Sequence, residues 1–401
     1  MMRAGRRPKR LFELMTRTLN LIASVVFASA LFMRSTDPIV PQIAGGLGVE
    51  ASTAALLATA FTLPYALIQP VLGALADIMN KTRLMLLCMF LLAIASIASA
   101  FAANFEMLMI ARVVAGLAAG GVVPISFAIV GDLVPVAQRQ VAMGRLLFAI
   151  MTGNLLGATL SGVVGDLAGW RAVFFATGAF GAIVLAVALP AFRSIVEKPK
   201  TFDLSTLGPN YRTIFSNPLA KICFGAVFLE ALFMYGVFPY VATLLHQAGE
   251  TRASIAGVVI AGFGIGGAVY GLVVSRILPR IGETRLMRAG GIVMGLCLIV
   301  IAWRLPWPVE FVNFTVLGFG FYLLHAVIQI YASELAPAAR GSALALHSFF
   351  FFLGHAIGPI VYGIGLRSAI GITPVLYVGA GVLAAVGLIC ARRLRRHMTS
   401  A

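Results

Sequence analysis

A chain of 401 residues that is 60% hydrophobic and 11% charged, with a mean hydropathy of +0.99, is not a water-soluble domain. Soluble domains carry about 25% charged residues, and no aqueous fold of this length hides so much apolar surface. The formal net charge of +16 suggests nucleic acid only until the basic residues are placed along the chain.

Twelve apolar stretches are predicted to be helical spans: 18–44, 52–76, 84–103, 106–131, 144–165, 170–192, 219–244, 253–276, 287–304, 308–332, 342–366 and 373–391. Each is near the ~20 residues that a helix needs to cross a bilayer. With the N-terminus in the cytoplasm, 24 of the 30 Lys and Arg fall in cytoplasmic segments. Arg171, Arg252, Arg304 and Arg367 fall outside, and Arg34 and Arg112 lie within spans. This is the positive-inside asymmetry. It predicts that both basic tails, Met1–Arg17 and Arg392–His397, are cytoplasmic, which needs an even number of spans. The charge therefore encodes topology; the expected partner is the lipid bilayer, and nucleic-acid binding is excluded. The first apolar run is too long for a cleaved signal peptide and ends in no small-residue cleavage site. Cys88, Cys223, Cys297 and Cys390 fall within or at the ends of spans without C-x-x-C spacing, so neither a disulfide nor a metal site is expected.

Span 1 carries the first chemical signal, Arg34-Ser35-Thr36-Asp37-Pro38-Ile39-Val40-Pro41. An acid inside a membrane helix is costly and is a functional candidate by default. Pro38 and Pro41 lack backbone donors and loosen the helix there. Such disruption is tolerated where the backbone lines a cavity. Asp37 lies about seven residues, or roughly 10 Å, from the outer end of its span. Arg112 in span 4 lies at a similar depth, so the expected pair is Asp37 with Arg112, and protonating one would release the other. A static buried network of Arg34, Asp37 and Arg112 is the alternative.

Residues 193–218, polar and with three prolines, read as a cytoplasmic linker midway along the chain. In span 7, Glu230 sits near mid-membrane among Phe233, Tyr235, Phe238 and Tyr240. It reads as a second proton site or a counter-charge for substrate, or else as a neutral acid bonded to a neighbouring helix. In span 10, His325 and Gln329 are one turn apart and share a face. With Asn154, His355 and Tyr235 they are candidates for lining a polar cavity, although a lone helix histidine is more often a core residue. Gly262-Phe263-Gly264-Ile265-Gly266-Gly267 looks like a dinucleotide fingerprint but has no strand before it, so no nucleotide cofactor is expected.

The chain also repeats itself. Asp132-Leu133-Val134-Pro135 with Arg139 returns as Glu334-Leu335-Ala336-Pro337 with Arg340. Gly153, Gly157 and Gly162 return as Gly354, Gly358 and Gly363, each 201 residues on. Because each half has six spans, the repeat is parallel, about an axis along the membrane normal.

Between spans 2 and 3, Gly73-Ala74-Leu75-Ala76-Asp77 is followed by Lys81 and Arg83. Span 4 has Arg112-x-x-x-Gly116, span 5 has Gly153-x-x-x-Gly157-Ala158-x-x-Ser161-Gly162, and span 6 opens on Gly169-Trp170-Arg171. These motifs, in this order, resemble the major facilitator superfamily over essentially the whole chain. The span 5 pattern is similar to that of its twelve-span proton-coupled drug and metabolite exporters, less one proline and one glycine. The resemblance implies an all-α membrane protein: twelve helices in two pseudo-symmetric six-helix bundles, residues 1–192 and 219–401, rocking about one site. It implies a secondary transporter rather than an enzyme, with no cofactor and no metal, acting as a monomer on a small-molecule substrate and protons in a bacterial inner membrane. Proton-driven export is expected, with proton symport of a sugar or organic acid as the alternative. Gly73, Asp77, Lys81 and Arg83 would form a cytoplasmic latch. Spans 5 and 8, and 2 and 11, would meet across the halves, with Gly153, Gly157, Gly162, Gly354 and Gly358 as hinge or packing positions. A polytopic membrane enzyme would need clustered His/Asp or Ser/His groups, whereas the five histidines are scattered.

Overall fold

In lipid no water satisfies an exposed backbone, so each apolar stretch closes its hydrogen bonds within itself as a helix. The structure, a computed structural model, describes residues 6–78, 80–192 and 207–394, with side-chain surroundings for all of these except 6–15, 70–78, 136–137, 207 and 210. Among the described residues there are helices and no strands. Eleven helical segments are long and apolar enough to cross a membrane. One of them lies in the helical stretch Val136–Phe192, which holds 57 residues, more than twice the ~20 that one crossing needs. It breaks at Gly169 (φ 78°, ψ 169°), a conformation that only glycine enters at low cost, and the chain turns back as a further passage. Twelve passages result.

Spans 1 and 7 are interrupted in the same way. Span 1 runs Arg6–Arg34, a 3-10 turn Asp37–Ile39, then Val40–Leu47; span 7 runs Leu219–Tyr235, a 3-10 turn Phe238–Tyr240, then Val241–Gln247. Pro38 and Pro239 lie in the two turns, and 239 minus 38 gives the repeat interval of 201. The sequence motifs do not reveal this correspondence, because the flanking residues differ: Asp37 in one half, Phe238 in the other. The other passages are Ala51–Ala54 with Leu56–Ile78 (span 2), Lys81–Ala100 (3), Phe105–Leu133 (4), the two sides of Gly169 (5 and 6), Ala253–Ile281 (8), Glu283–Ala302 (9), Trp307–Glu334 (10), Arg340–Arg367 (11) and Thr373–Arg393 (12). Asn80 and Asn104 cap spans 3 and 4, each side-chain oxygen accepting an otherwise free N–H of the first turn. Of the expected linker, residues 193–206 lie outside the described residues. Leu207–Ser216 forms a short helix, tied to the second half where Asn217 Nδ2 donates to the Leu335 carbonyl at 3.0 Å.

The packing follows the repeat. Span 1 packs on 5, 2 on 4 and 3 on 6; in the second half 7 packs on 11, 8 on 10 and 9 on 12. Spans 5 with 8, and 2 with 11, join the halves. Small residues set the closest approaches, as expected where lipid offers no hydrophobic gain on helix association. A Cβ on Gly153 or Gly157 would lie 2.5 Å from the Phe27 or Leu31 carbonyl of span 1. Gly354 and Gly358 meet the Phe228 and Leu232 carbonyls of span 7, again 201 residues on. These four glycines therefore seat spans within each half instead of between halves. The close cross-half contacts are Gly162 against Ala253 and Ser254, and Gly257 against Ala158. Large apolar side chains such as Phe90, Ile94, Leu167, Ile183, Leu272 and Val312 point away from the core, as a lipid-facing surface requires.

Gly157→Val is expected to destabilise the protein by about 1–3 kcal/mol through overpacking at Leu31. Gly131→Ala, where a Cβ meets open space, should be neutral or slightly stabilising. Thermal unfolding of the two variants in one detergent checks the contrast.

Candidate substrate and coupling site

The interruption of span 1 delivers two charges to the middle of the molecule. Arg34 ends the first helical segment and Asp37 begins the turn, so the two side chains meet three residues apart. Arg34 Nη1 donates to Asp37 Oδ2 at 3.1 Å, with both residues buried. The Arg34 guanidinium stands over the rings of Tyr235 and Phe238, 4.5 and 4.6 Å from their centroids. Those rings belong to the matching interruption of span 7. A first-half ion pair thus rests on second-half aromatic faces, where a desolvated cation–π contact is strongest.

Arg112 is placed differently from the sequence expectation. No ion pair joins it to Asp37 among the described residues. Its Nε points at the Leu57 carbonyl at 3.5 Å, and its guanidinium stands 4.4 Å over the Phe61 ring. Equal depth along two helices brings Arg112 within electrostatic reach of Asp37 without an ion pair, and Arg34, three residues away, holds Asp37 Oδ2.

In the second half, Glu230 is fully buried, and its Oε2 lies 2.8 Å from His325 Nδ1. The bond to a neighbouring helix is present, and a carboxyl bonded to a histidine is compatible with both readings left open. His325 lies against Phe321 and 5.1 Å, ring to ring, from His347, a buried histidine of span 11 that the sequence reading passed over. His355 packs on Tyr235 with ring centroids 4.9 Å apart. Tyr235 also meets Phe238, Phe263, Phe321 and Phe351, forming the hub of an aromatic cluster. Thr36 Oγ1, Asn154 Oδ1, Glu230 Oε1, His347 Nε2 and His355 Nδ1 are buried without a hydrogen-bond partner among the described residues. Gln329, by contrast, is exposed, a turn away from His325 towards the face that carries the chain termini.

Between the halves lies a cavity of about 60 Å³, room for only a few waters. Arg34, Met151, Asn154 and Leu155 line it from the first half, and Tyr235, Phe238, Ile260, Phe263, Gly264 and Tyr322 from the second. Asn154, Tyr235 and Arg34 are brought together; Glu230 and His325 sit deeper in the second bundle.

At the terminal face, Lys81 Nζ meets Asp132 Oδ2 at 2.6 Å. Asp132 of the repeated acid-Pro-Arg turn thus joins an expected latch residue, while Arg139 donates through Nε to the Val134 carbonyl at 2.9 Å. Arg83 is exposed. Gly73 and Asp77 lie on the helical end of span 2, but their side-chain surroundings fall outside the described residues. At the opposite face, Glu250 accepts from Arg252 Nε at 2.8 Å and Nη2 at 2.6 Å. The Arg252 hydrogen bonds hold the Glu250 carboxyl down at about 2, so this pair stays ionised across the physiological range.

Two packed bundles, broken central spans and a partly polar, partly aromatic cavity shared between the bundles define a membrane transporter for small molecules. The sequence model of the Major Facilitator Superfamily matches residues 22–308 and 223–400, and the chain belongs to that superfamily. Multidrug resistance protein 1 of Bacillus subtilis is 23% identical over 349 residues, covering 86% of this chain and 89% of its own. The quinolone resistance protein NorA of Staphylococcus aureus (strain COL) is 26% identical over 331 residues, covering 81% and 84%. Among solved structures, the POT family transporter PepTSo superposes with a TM-score of 0.78 at 13% identity, covering 96% of this chain and 99% of that one. An inward-facing, unoccupied bacterial homolog of the human lysosomal transporter Spinster gives 0.73 at 17% identity, covering 94% and 95%.

Truncating one member of the central pair leaves the other as an uncompensated buried charge. Asp37→Ala is expected to cost about 3–5 kcal/mol, and Asp37→Ala combined with Arg34→Met to recover most of it. A double-mutant cycle on thermal stability in detergent reads the coupling; additive losses would mean the pair is not bonded in solution.

Proposed function

We propose that the protein exports a flat, partly aromatic, drug-like solute in exchange for protons, with Asp37 as the coupling carboxylate. The observation that carries this is the Arg34–Asp37 pair, buried at a helix break and held against second-half aromatics. With Asp37 ionised, Arg34 is neutralised within its own half. A proton on Asp37 removes that partner and leaves a cation facing the Tyr235 and Phe238 rings. Proton occupancy of one half is thereby felt at the contact between halves, which is where alternating access needs it. A membrane potential supplies about 2.3 kcal/mol per charge per 100 mV, enough to drive uphill export. Glu230, bonded to His325, is a second proton site under this reading.

The aromatic lining of the cavity and the multidrug and quinolone resistance named for the relatives support a drug-like substrate moving outward. The working site is larger than the 60 Å³ seen, so substrate enters a more open conformation. The orientation is N- and C-termini in the cytoplasm: Arg17, Lys81, Arg83, Arg139, Arg212, Lys221, Arg285 and Arg340 lie on the terminal face, and Arg171, Arg252, Arg304 and Arg367 on the other. We place the protein in a bacterial inner membrane as a monomer of two bundles, residues 1–192 and 219–401.

Asp37→Asn removes the titrating proton and keeps the side-chain shape. In proteoliposomes it is expected to lose export driven by a pH gradient while still binding substrate in a thermal-shift screen of drugs, sugars and organic acids. Proton-driven flux equal to that of the wild type would end the assignment of Asp37.

A further inference from the structure

Span 8 begins without a cap of its own. Its N-cap residue, Arg252, makes no side-chain hydrogen bond to the first turn, so the leading N–H groups of the helix lack a local acceptor. The acceptor comes from the other half of the protein. Asp166, at the end of span 5, accepts from Ala253 N through Oδ1 and from Ser254 N through Oδ2, both at 2.8 Å. Its Oδ1 also lies 3.5 Å from Gln42 Nε2 of span 1. A full negative charge on two N-terminal N–H groups is the favourable arrangement for the helix dipole, and hydrogen bonds to an ionised acceptor are roughly twice as strong as neutral ones.

The reach depends on close backbones. Gly162, one helical turn before Asp166 and on the same face, packs directly on Ala253 and Ser254, where a Cβ would collide with backbone. Gly257, one turn into span 8, packs against Ala158 in the same way. Span 5 can therefore cap span 8 only while the two ends are together. Once they separate, the first turn of span 8 faces solvent with no cap in its own sequence. The Glu250–Arg252 pair satisfies the preceding turn locally, and the Arg252 guanidinium also lies within electrostatic reach of Asp166, a second cross-half attraction that parting the two ends would lose.

We infer that Asp166 is the latch of the face opposite the chain termini: it caps span 8 across the two halves when that face is closed, and its release is a step of every transport cycle. Asp166 touches neither the cavity nor the Arg34–Asp37 pair, so it is a positioning residue. The inference rests on alternating access alone, not on proton coupling or on the membrane orientation proposed above.

Distance measurements separate this latch from mere stability. Phe101 and Trp303 are exposed on that face, one in each half, while the four native cysteines are buried. Spin labels on Phe101→Cys and Trp303→Cys in the purified, full-length protein report opening of that face by double electron–electron resonance. Asp166→Ala is expected to raise the ratio of long-distance to short-distance populations about tenfold, and Asp166→Asn, which keeps one acceptor but no charge, by less. Unchanged distance distributions in a folded Asp166→Ala protein would overturn the latch. So would a lowered melting temperature with no change in distances, which would make Asp166 a static cap. Should Asp166→Ala fail to fold, Asp166→Asn carries the same test. Loss of proton coupling in Asp37→Asn with these distances intact would strike the coupling proposal and leave the latch standing.

Discussion

The constraint on which this structure depends is that lipid leaves no backbone group unpaired, so an irregular backbone survives only where protein surrounds it. Spans 1 and 7 spend their irregularity at the centre of the molecule, at Pro38 and Pro239, facing each other across the halves. Arg34 and Asp37 are affordable there because each satisfies the other and because Tyr235 and Phe238 cover the guanidinium. A buried pair of this kind contributes little to stability by itself, since desolvation offsets much of the attraction.

The two halves share a scaffold and divide the chemistry. The glycines that seat span 5 on span 1 have counterparts that seat span 11 on span 7, against carbonyls 201 residues apart. The charges within the spans have no such counterparts. Asp37 corresponds to Phe238 in the repeat, and Asn154 corresponds to His355. The second half has instead an acid–histidine pair, Glu230 with His325, set in aromatic packing. Symmetry in small residues preserves the packing within each half; asymmetry in polar residues gives each half its own buried groups.

Several partners could be read from the chain only as possibilities, and geometry chose between them. Asp37 was legible as an intramembrane acid, but its partner is Arg34, three residues away, and Arg112 faces the Leu57 carbonyl and Phe61. Helical depth can be counted from sequence, whereas rotation about the helix axis cannot, and contact depends on both. The same limit hid the cap that Asp166 gives to span 8. Asp166 left no signal because it lies at a span end, where a carboxylate is ordinary. Its role comes from a helix start 87 residues away that lacks a cap.

By itself the sequence determined what local physics can determine: which segments enter the bilayer, through apolar length; that the chain is duplicated, through glycine and turn spacing; and that Asp37 and Glu230 are candidates, through the cost of an acid in lipid. Tertiary structure decided which groups meet. It matched Pro38 with Pro239, turned the paired glycines inward on their own halves, and brought Asp166 onto the start of span 8. Those outcomes depend on how helices rotate and approach in three dimensions, and no pattern along one chain records that.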